Sequence, residues 1–156
     1  MLELLNTRTG IEHVNLSNSD FRGTNFDTAK ISNVNFTRAN LSHANLSDKD
    51  LTGTILTGAN LSNTILTGVD LSGKDLTGTI IWKVKLLDTN LANVNLTNAD
   101  LRDTLLVDAN LSDAILRGAN LTNAVLTGAI LTGADLENAV LTNVILNCVG
   151  HPICVI

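Results

Sequence analysis

The chain has 156 residues, a net charge of −5, 44% hydrophobic residues and only 3% aromatic residues, with no Tyr, three Phe and one Trp. That length suits one domain with a real core, but the core has to be built without the aromatic side chains on which globular interiors lean. Ten Lys and Arg against fifteen Asp and Glu argue against a protein that binds nucleic acid directly through a basic surface.

Residues 1–10, MLELLNTRTG, place Glu3 inside their only apolar cluster, so they do not read as a secretory signal. They are expected to form an N-terminal cap, a short turn of helix around Leu2, Leu4 and Leu5. No stretch approaches the roughly 18 apolar residues of a membrane span, and no membrane association is expected.

A period of five begins at Ile11. Every residue whose number ends in 1 or 6, from Ile11 to Leu146, is Leu, Ile or Phe, 28 positions without a slip. On an α-helix, successive positions of this set would lie about 140° apart and make no face. On a flat strand they would alternate between faces. The pattern is satisfied if the chain turns a corner once per pentad, so that each centre points inward from its own side of a coil. Four corners close a circuit of 20 residues, and stacked circuits lie about 4.8 Å apart, the spacing of hydrogen-bonded strands.

The other positions agree. Two residues before each centre, from Val14 to Val144, twelve of 27 sites are Ala, six Val, six Thr and one Ser, as a crowded second inward site requires. Two residues after the centre, 22 of 26 sites between Asn18 and Asn143 are Gly, Asn or Asp, the types that tolerate φ > 0. Thr28, Arg38, His43 and Lys83 are the exceptions. Runs such as Ala59-Asn60-Leu61, Ala119-Asn120-Leu121 and Ala134-Asp135-Leu136 resemble the pentapeptide-repeat family over about residues 11–147. The resemblance implies an all-β fold, a right-handed parallel quadrilateral β-helix of about seven coils, roughly 34 Å long at the strand spacing. Phe21, Phe26 and Phe36 are expected to thicken its first coils.

Lys49 and Lys74 occupy the usually small inward site. A buried unpaired ammonium is costly, so their stems are expected to follow the coil corner while the amines reach solvent or carbonyls. Their offset of 25 residues places them one wall apart.

Residues 148–156, CVGHPICVI, leave the register and form a capping or dimerisation tail. Ile153, Val155 and Ile156 are the candidate dimer end, and the family resemblance supports a homodimer there. Cys148 and Cys154, six residues apart, make no disulfide framework, so reduced thiols and a cytoplasmic protein are the expectation. With His151 they have ligand types that suit zinc. Three candidates without a fourth favour simple capping, and neither metal nor cofactor is expected.

Because residues 20 apart share a wall, the sequence also maps the surface. The wall centred on 66, 86, 106, 126 and 146 presents Ile65, Leu87, Leu105, Val107, Val125 and Ile145, interrupted by Lys85. Trp82 lies at its margin. A contiguous apolar patch of this kind marks a contact surface, and an exposed Trp is a candidate hot spot. The alternative is that β-branched residues merely favour the coil edges.

No constellation for catalysis appears: Ser and Thr fill turn positions, His13 and His43 sit at turns, and no phosphate loop is present. The leading expectation is a non-catalytic, rigid module that binds an unidentified protein. The alternative implied by the resemblance is a DNA mimic that binds DNA gyrase or topoisomerase IV, against which the acids are spread over all four walls.

Overall fold

In a computed structural model, which describes residues 13–155 without the Val155 side chain, the chain winds as a four-walled parallel β-helix. The cap expected over 1–10, and Ile156, lie outside the described residues. β1 (Val14–Asn15) and β2 (Val34–Asn35) pair in parallel, residue i with i+20. Beyond them single parallel pairings repeat that register down the stack, from Asp20 with Asn40 to Val125 with Ile145.

Five positions have five hydrogen-bonding tasks, and pentad 60–64 shows all of them. The Asn60 amide donates back one coil to the Ala39 carbonyl (2.9 Å), and the amides of Leu61 and Asn63 donate forward to Ile80 (2.7 Å) and Trp82 (3.0 Å). The Thr64 amide closes the turn onto Leu61 at 3.1 Å. The remaining amide, that of Ser62, donates to the Asn60 side-chain Oδ1 at 3.0 Å. No amide is left over, which a backbone wound around a dry core requires. Asn or Asp before the centre is therefore a hydrogen-bond acceptor for the turn that follows.

The residue two after each centre has φ between 53° and 72° at every described site from Asn18 to Asn143 except Thr28. Positive φ at the third position alone of a turn closed by a hydrogen bond is the type II pattern. Arg38, His43 and Lys83, off-pattern by composition, adopt the same conformation with φ of 56°, 61° and 56°. The β-branched Thr28 does not, although Ala29 still donates to Phe26 at 2.8 Å.

The centres from Leu16 to Leu131 are buried. Inward Thr54, Thr64, Thr79 and Thr104 are also buried, each donating its Oγ1 to the centre carbonyl three residues back at 2.6–2.7 Å. Phe21, Phe26 and Phe36 meet with ring centroids 5.7–6.1 Å apart, filling the first coils.

Among the described residues the inter-coil ladder lapses in four places: Asp50 does not pair with Asp70, Ile55 with Asp75, Ile65 with Lys85, or Lys30 with Asp50. The inward lysines lie at the first two. Lys49 Nζ donates to the Asp27 carbonyl at 2.6 Å and Lys74 Nζ to that of Leu51 at 2.5 Å, so the stems do reach carbonyls. Although one wall apart, the two lysines line a single recess of about 420 Å³ with Asp48, Asp50 and Asp70. Burial lowers the Lys74 pKa, with Asp50 and Asp70 opposing.

The tail corrects one expectation. Cys148 and Cys154 are joined by a disulfide, their Cα atoms 5.0 Å apart. Gly150 at φ 84° and the 3₁₀ turn η1 (Pro152–Val155) fold the chain back on itself. The six-residue spacing thus closes a small loop, and both thiols of the C-x2-H-x2-C run are taken. The premise of reduced thiols falls with it, and with that premise the argument from cysteine usage for a cytoplasmic setting. Half-buried Ile153 packs against the buried core, as do the half-buried Leu136, Leu141, Val144 and Leu146 of the last coils, so the tail adds to the core's cover.

Two outcomes follow. Gly73 has open space where a Cβ would stand, at φ 63°; Gly73→Asn should leave the denaturant midpoint nearly unchanged, whereas Gly73→Val should lower stability by about 1–2 kcal/mol. Thiol titration of protein purified without reductant should find no free thiol, native or denatured; two would contradict the bridge.

Candidate interaction surface

Leu105 pairs with Val125 and Val125 with Ile145, in parallel and on one wall, with Lys85 above them against Leu105. Ile65, one coil further up, is 50% exposed, Leu87 48% and Ile145 55%. Leu105, Val107 and Val125 are half-buried between them. The sequence-predicted residues therefore share one wall, stacked from Leu105 to Ile145 and separated from Ile65 by Lys85.

What distinguishes this wall is a lost acceptor. On the other three walls the residue before the centre is mostly Asn or Asp, and its Oδ1 holds the next turn, as Asn95 does for Thr97 (3.1 Å) and Asn120 for Thr122 (3.0 Å). Here Asn25 and Asn45 do the same for Asp27 and Ser47. Below them the wall changes to Ile65, Lys85, Leu105, Val125 and Ile145, none of which has an acceptor to offer. Five successive coils give up the same local hydrogen bond on the same wall. Elsewhere aliphatic residues at this position, such as Ile55, Ile80 and Ile115, interrupt acidic or amide neighbours.

Trp82 is half-buried, not projecting. Its Nε1 donates to Asp103 Oδ2 at 2.8 Å, and Lys83 Nζ stands 4.4 Å from the ring centroid, a cation–π distance. Asp103 Oδ1 accepts from Asn123 Nδ2 at 3.0 Å, and Asn123 Oδ1 from Asn143 Nδ2 at 3.3 Å. The Asn123 and Trp82 donors hold the Asp103 pKa below the ordinary value, with Lys83 and Arg102 adding to the effect. The corner beside the apolar strip is thus tied down its length by side chains.

The missing Ile65–Lys85 pairing leaves an opening of about 450 Å³ lined by Asn63, Thr64, Ile65, Thr67, Lys83 and Lys85. A second recess of about 490 Å³, under Leu87, continues it around the next corner, with Thr67 common to both. Sequence reasoning missed this opening, and the pentad register carries no signal for it, since the inward residues Thr64 and Val84 are of ordinary types. Among the described residues no cluster of three metal-ligating side chains is present, and no helix is long and apolar enough to cross a membrane.

Coils of 20 residues with left-handed Gly, Asn or Asp at their corners define a quadrilateral parallel β-helix. The chain belongs to the pentapeptide repeat family, whose model matches eight copies over residues 11–48, 35–73, 50–82, 75–106 and 104–143, and its helix is right-handed. HetL, a pentapeptide repeat protein involved in heterocyst differentiation regulation from the cyanobacterium Nostoc sp. strain PCC 7120, is similar, with a TM-score of 0.71 and 28% identity over 90% of this chain. This chain spans 64% of HetL. QnrB1, a plasmid-mediated fluoroquinolone resistance protein, shares the fold with a TM-score of 0.50 and 20% identity over 86% of this chain and 72% of its own. Rfr23 from the cyanobacterium Cyanothece 51142 is 33% identical over 89% of both chains, with a TM-score of 0.41. No curated protein matches the sequence.

Where the acceptor is Asp it is charged. Asp75 is held below its ordinary pKa chiefly by the Thr77 side chain, and Asp100 by the Arg102 side chain; Asp50 and Asp70 shift the same way through Thr52 and Ser72. A depressed folded pKa gives stability that is full above the unfolded value, near 3.8, and is lost as pH falls through the lower folded values. Melting temperature should therefore change little on this account between pH 7 and 5 and fall below about pH 4. A melting temperature that rises on acidification to pH 3 would show that these carboxylates do not hold the turns as ions.

Proposed function

We propose that the protein is a non-catalytic, rigid interaction module whose working surface is the wall carrying Ile65, Leu87, Leu105, Val107, Val125 and Ile145, with Trp82 at its edge. The observation that carries this reading is the run of five coils without the turn-holding acceptor. β-propensity explains single aliphatic residues such as Ile55, Ile80 and Ile115 at this position but not the loss of the acceptor on five successive coils of one wall. Because Leu105 and Val125 are fixed by the ladder above and below them, binding there orders little backbone, and the contact area converts more fully into affinity.

The likeness to HetL, a protein involved in heterocyst differentiation regulation, supports a regulatory role for the module. A homodimer through the C-terminal end belongs to the same reading. The amides of Leu136, Leu141 and Leu146 find no backbone acceptor among the described residues, Ile153 is only half-buried, and unpaired strand edges favour association. The DNA-mimic alternative has less support. Asp20, Asp100 and Asp135 lie on two different walls, and Arg22, Arg102 and Arg117 clamp them at 2.5–2.8 Å, which breaks up any continuous line of negative charge. The likeness to QnrB1 shows the fold alone.

Replacing Leu105 and Val107 together by Lys should abolish capture of partners from extract of the source organism while leaving the melting temperature within a few degrees. Capture unchanged by L105K/V107K would remove the wall from the proposal. Sedimentation of the same variant separates the two surfaces, since a dimer made through the C-terminal end should persist.

A further inference from the structure

Resting on the interaction-module reading, we propose that the opening between Ile65 and Lys85 is the specificity element of the wall, and that it seats a partner protein's segment in which a carboxylate lies beside a bulky aliphatic or aromatic side chain. Three observations converge there. The regular pairing would join the Lys85 amide to the Thr64 carbonyl and the Leu66 amide to the Lys85 carbonyl; both bonds are absent, so polar backbone faces a recess of about 450 Å³. Such groups call for partners, and an extended segment supplies donors and acceptors of the same kind.

The rim is the second observation. Ile65, which lines this recess, and Leu87, which lines the adjoining one, are about half exposed, and Leu105 continues the wall from Lys85 downward. An aliphatic or aromatic side chain entering from solvent meets Ile65 at the opening and further apolar carbon beside it.

Charge is the third. The chain carries −5 overall, yet two exposed cations, Lys83 and Lys85, line this recess. Neither has an ion-pair partner among the described residues; the ion pairs present belong to Arg22, Arg102 and Arg117. Asp103, the acid beside Lys83, already accepts from Trp82 and Asn123. The Trp82 ring under Lys83 restrains its amine near the opening. Two cations next to aliphatic side chains select a carboxylate-bearing apolar segment and disfavour a basic one. A nucleic acid would find two lysines bordered by apolar carbon and, beyond them, a surface of its own sign.

The test is selection of a random dodecapeptide display library on the full chain, on K83E/K85E and on L105K/V107K. The unaltered chain should enrich Asp or Glu within three positions of Leu, Ile, Phe or Val. A synthetic peptide made from the recovered consensus should bind at least about tenfold more weakly to K83E/K85E, and more weakly as salt rises. Enrichment without acidic residues, no enrichment, or equal affinity for K83E/K85E overturns the proposal. If L105K/V107K alone removes binding, the interaction wall stands and this assignment falls; if neither variant changes binding, both fall. All four positions lie at the surface, and a melting curve for each variant confirms that the fold is retained.

Discussion

Everything in this molecule depends on one constraint: each backbone amide of a pentad must find its acceptor without help from the dry interior. Two donate forward along the stack, one donates backward, one closes the turn, and the fifth takes a side-chain oxygen. The residue preferences follow from these tasks. Leu stands where the side chain points inward and has room. Ala, Val or Thr stands where the corner is crowded, with Thr returning its hydroxyl to the centre carbonyl. Gly, Asn or Asp stands where φ is positive, and Asn or Asp where the turn lacks an acceptor. A protein so specified shows its departures plainly, because each departure leaves a named hydrogen bond unmade.

The departures are grouped. Five consecutive coils drop the side-chain acceptor on one wall, and the same wall carries the widest apolar strip and a break in the ladder. At its edge Trp82, Asp103, Asn123 and Asn143 form a chain of side-chain hydrogen bonds along the corner. A corner tied by side chains, an apolar strip and a polar opening with two cations lie together on this wall, and the proposed contact surface rests on that grouping.

The wall was legible in the sequence because stacking follows from counting. Leu105 and Val125, twenty apart, had to lie one above the other, and they do. The amines of Lys49 and Lys74 could be foreseen to reach carbonyls, since burying them unpaired is prohibitive. Their convergence on one recess could not, because counting assigns walls and not the reach of a four-carbon stem around a corner. The opening at Ile65 and Lys85 was invisible because the residues there are of ordinary types, and whether a ladder bond forms depends on the spacing of two coils. The Cys148–Cys154 bridge escaped for a related reason. Beyond residue 147 the register ends, and only the fold-back at Gly150 and Pro152 brings the sulfurs together. Trp82 was expected to project, but its indole found an acceptor one coil on.

The four ladder gaps have a mechanical meaning for the described stack. In a solenoid each coil is coupled only to its neighbours, so cohesion is a chain of links and not a shared pool. The gaps fall between residues 30 and 85, beginning among the coils that hold the aromatic trio and ending above the unbroken lower coils with their disulfide-braced tail. The described rod is therefore built as a stout lower segment carrying a more loosely laddered upper one. Tension along the axis, or the first stages of melting, will part it in those upper coils before the lower ones separate.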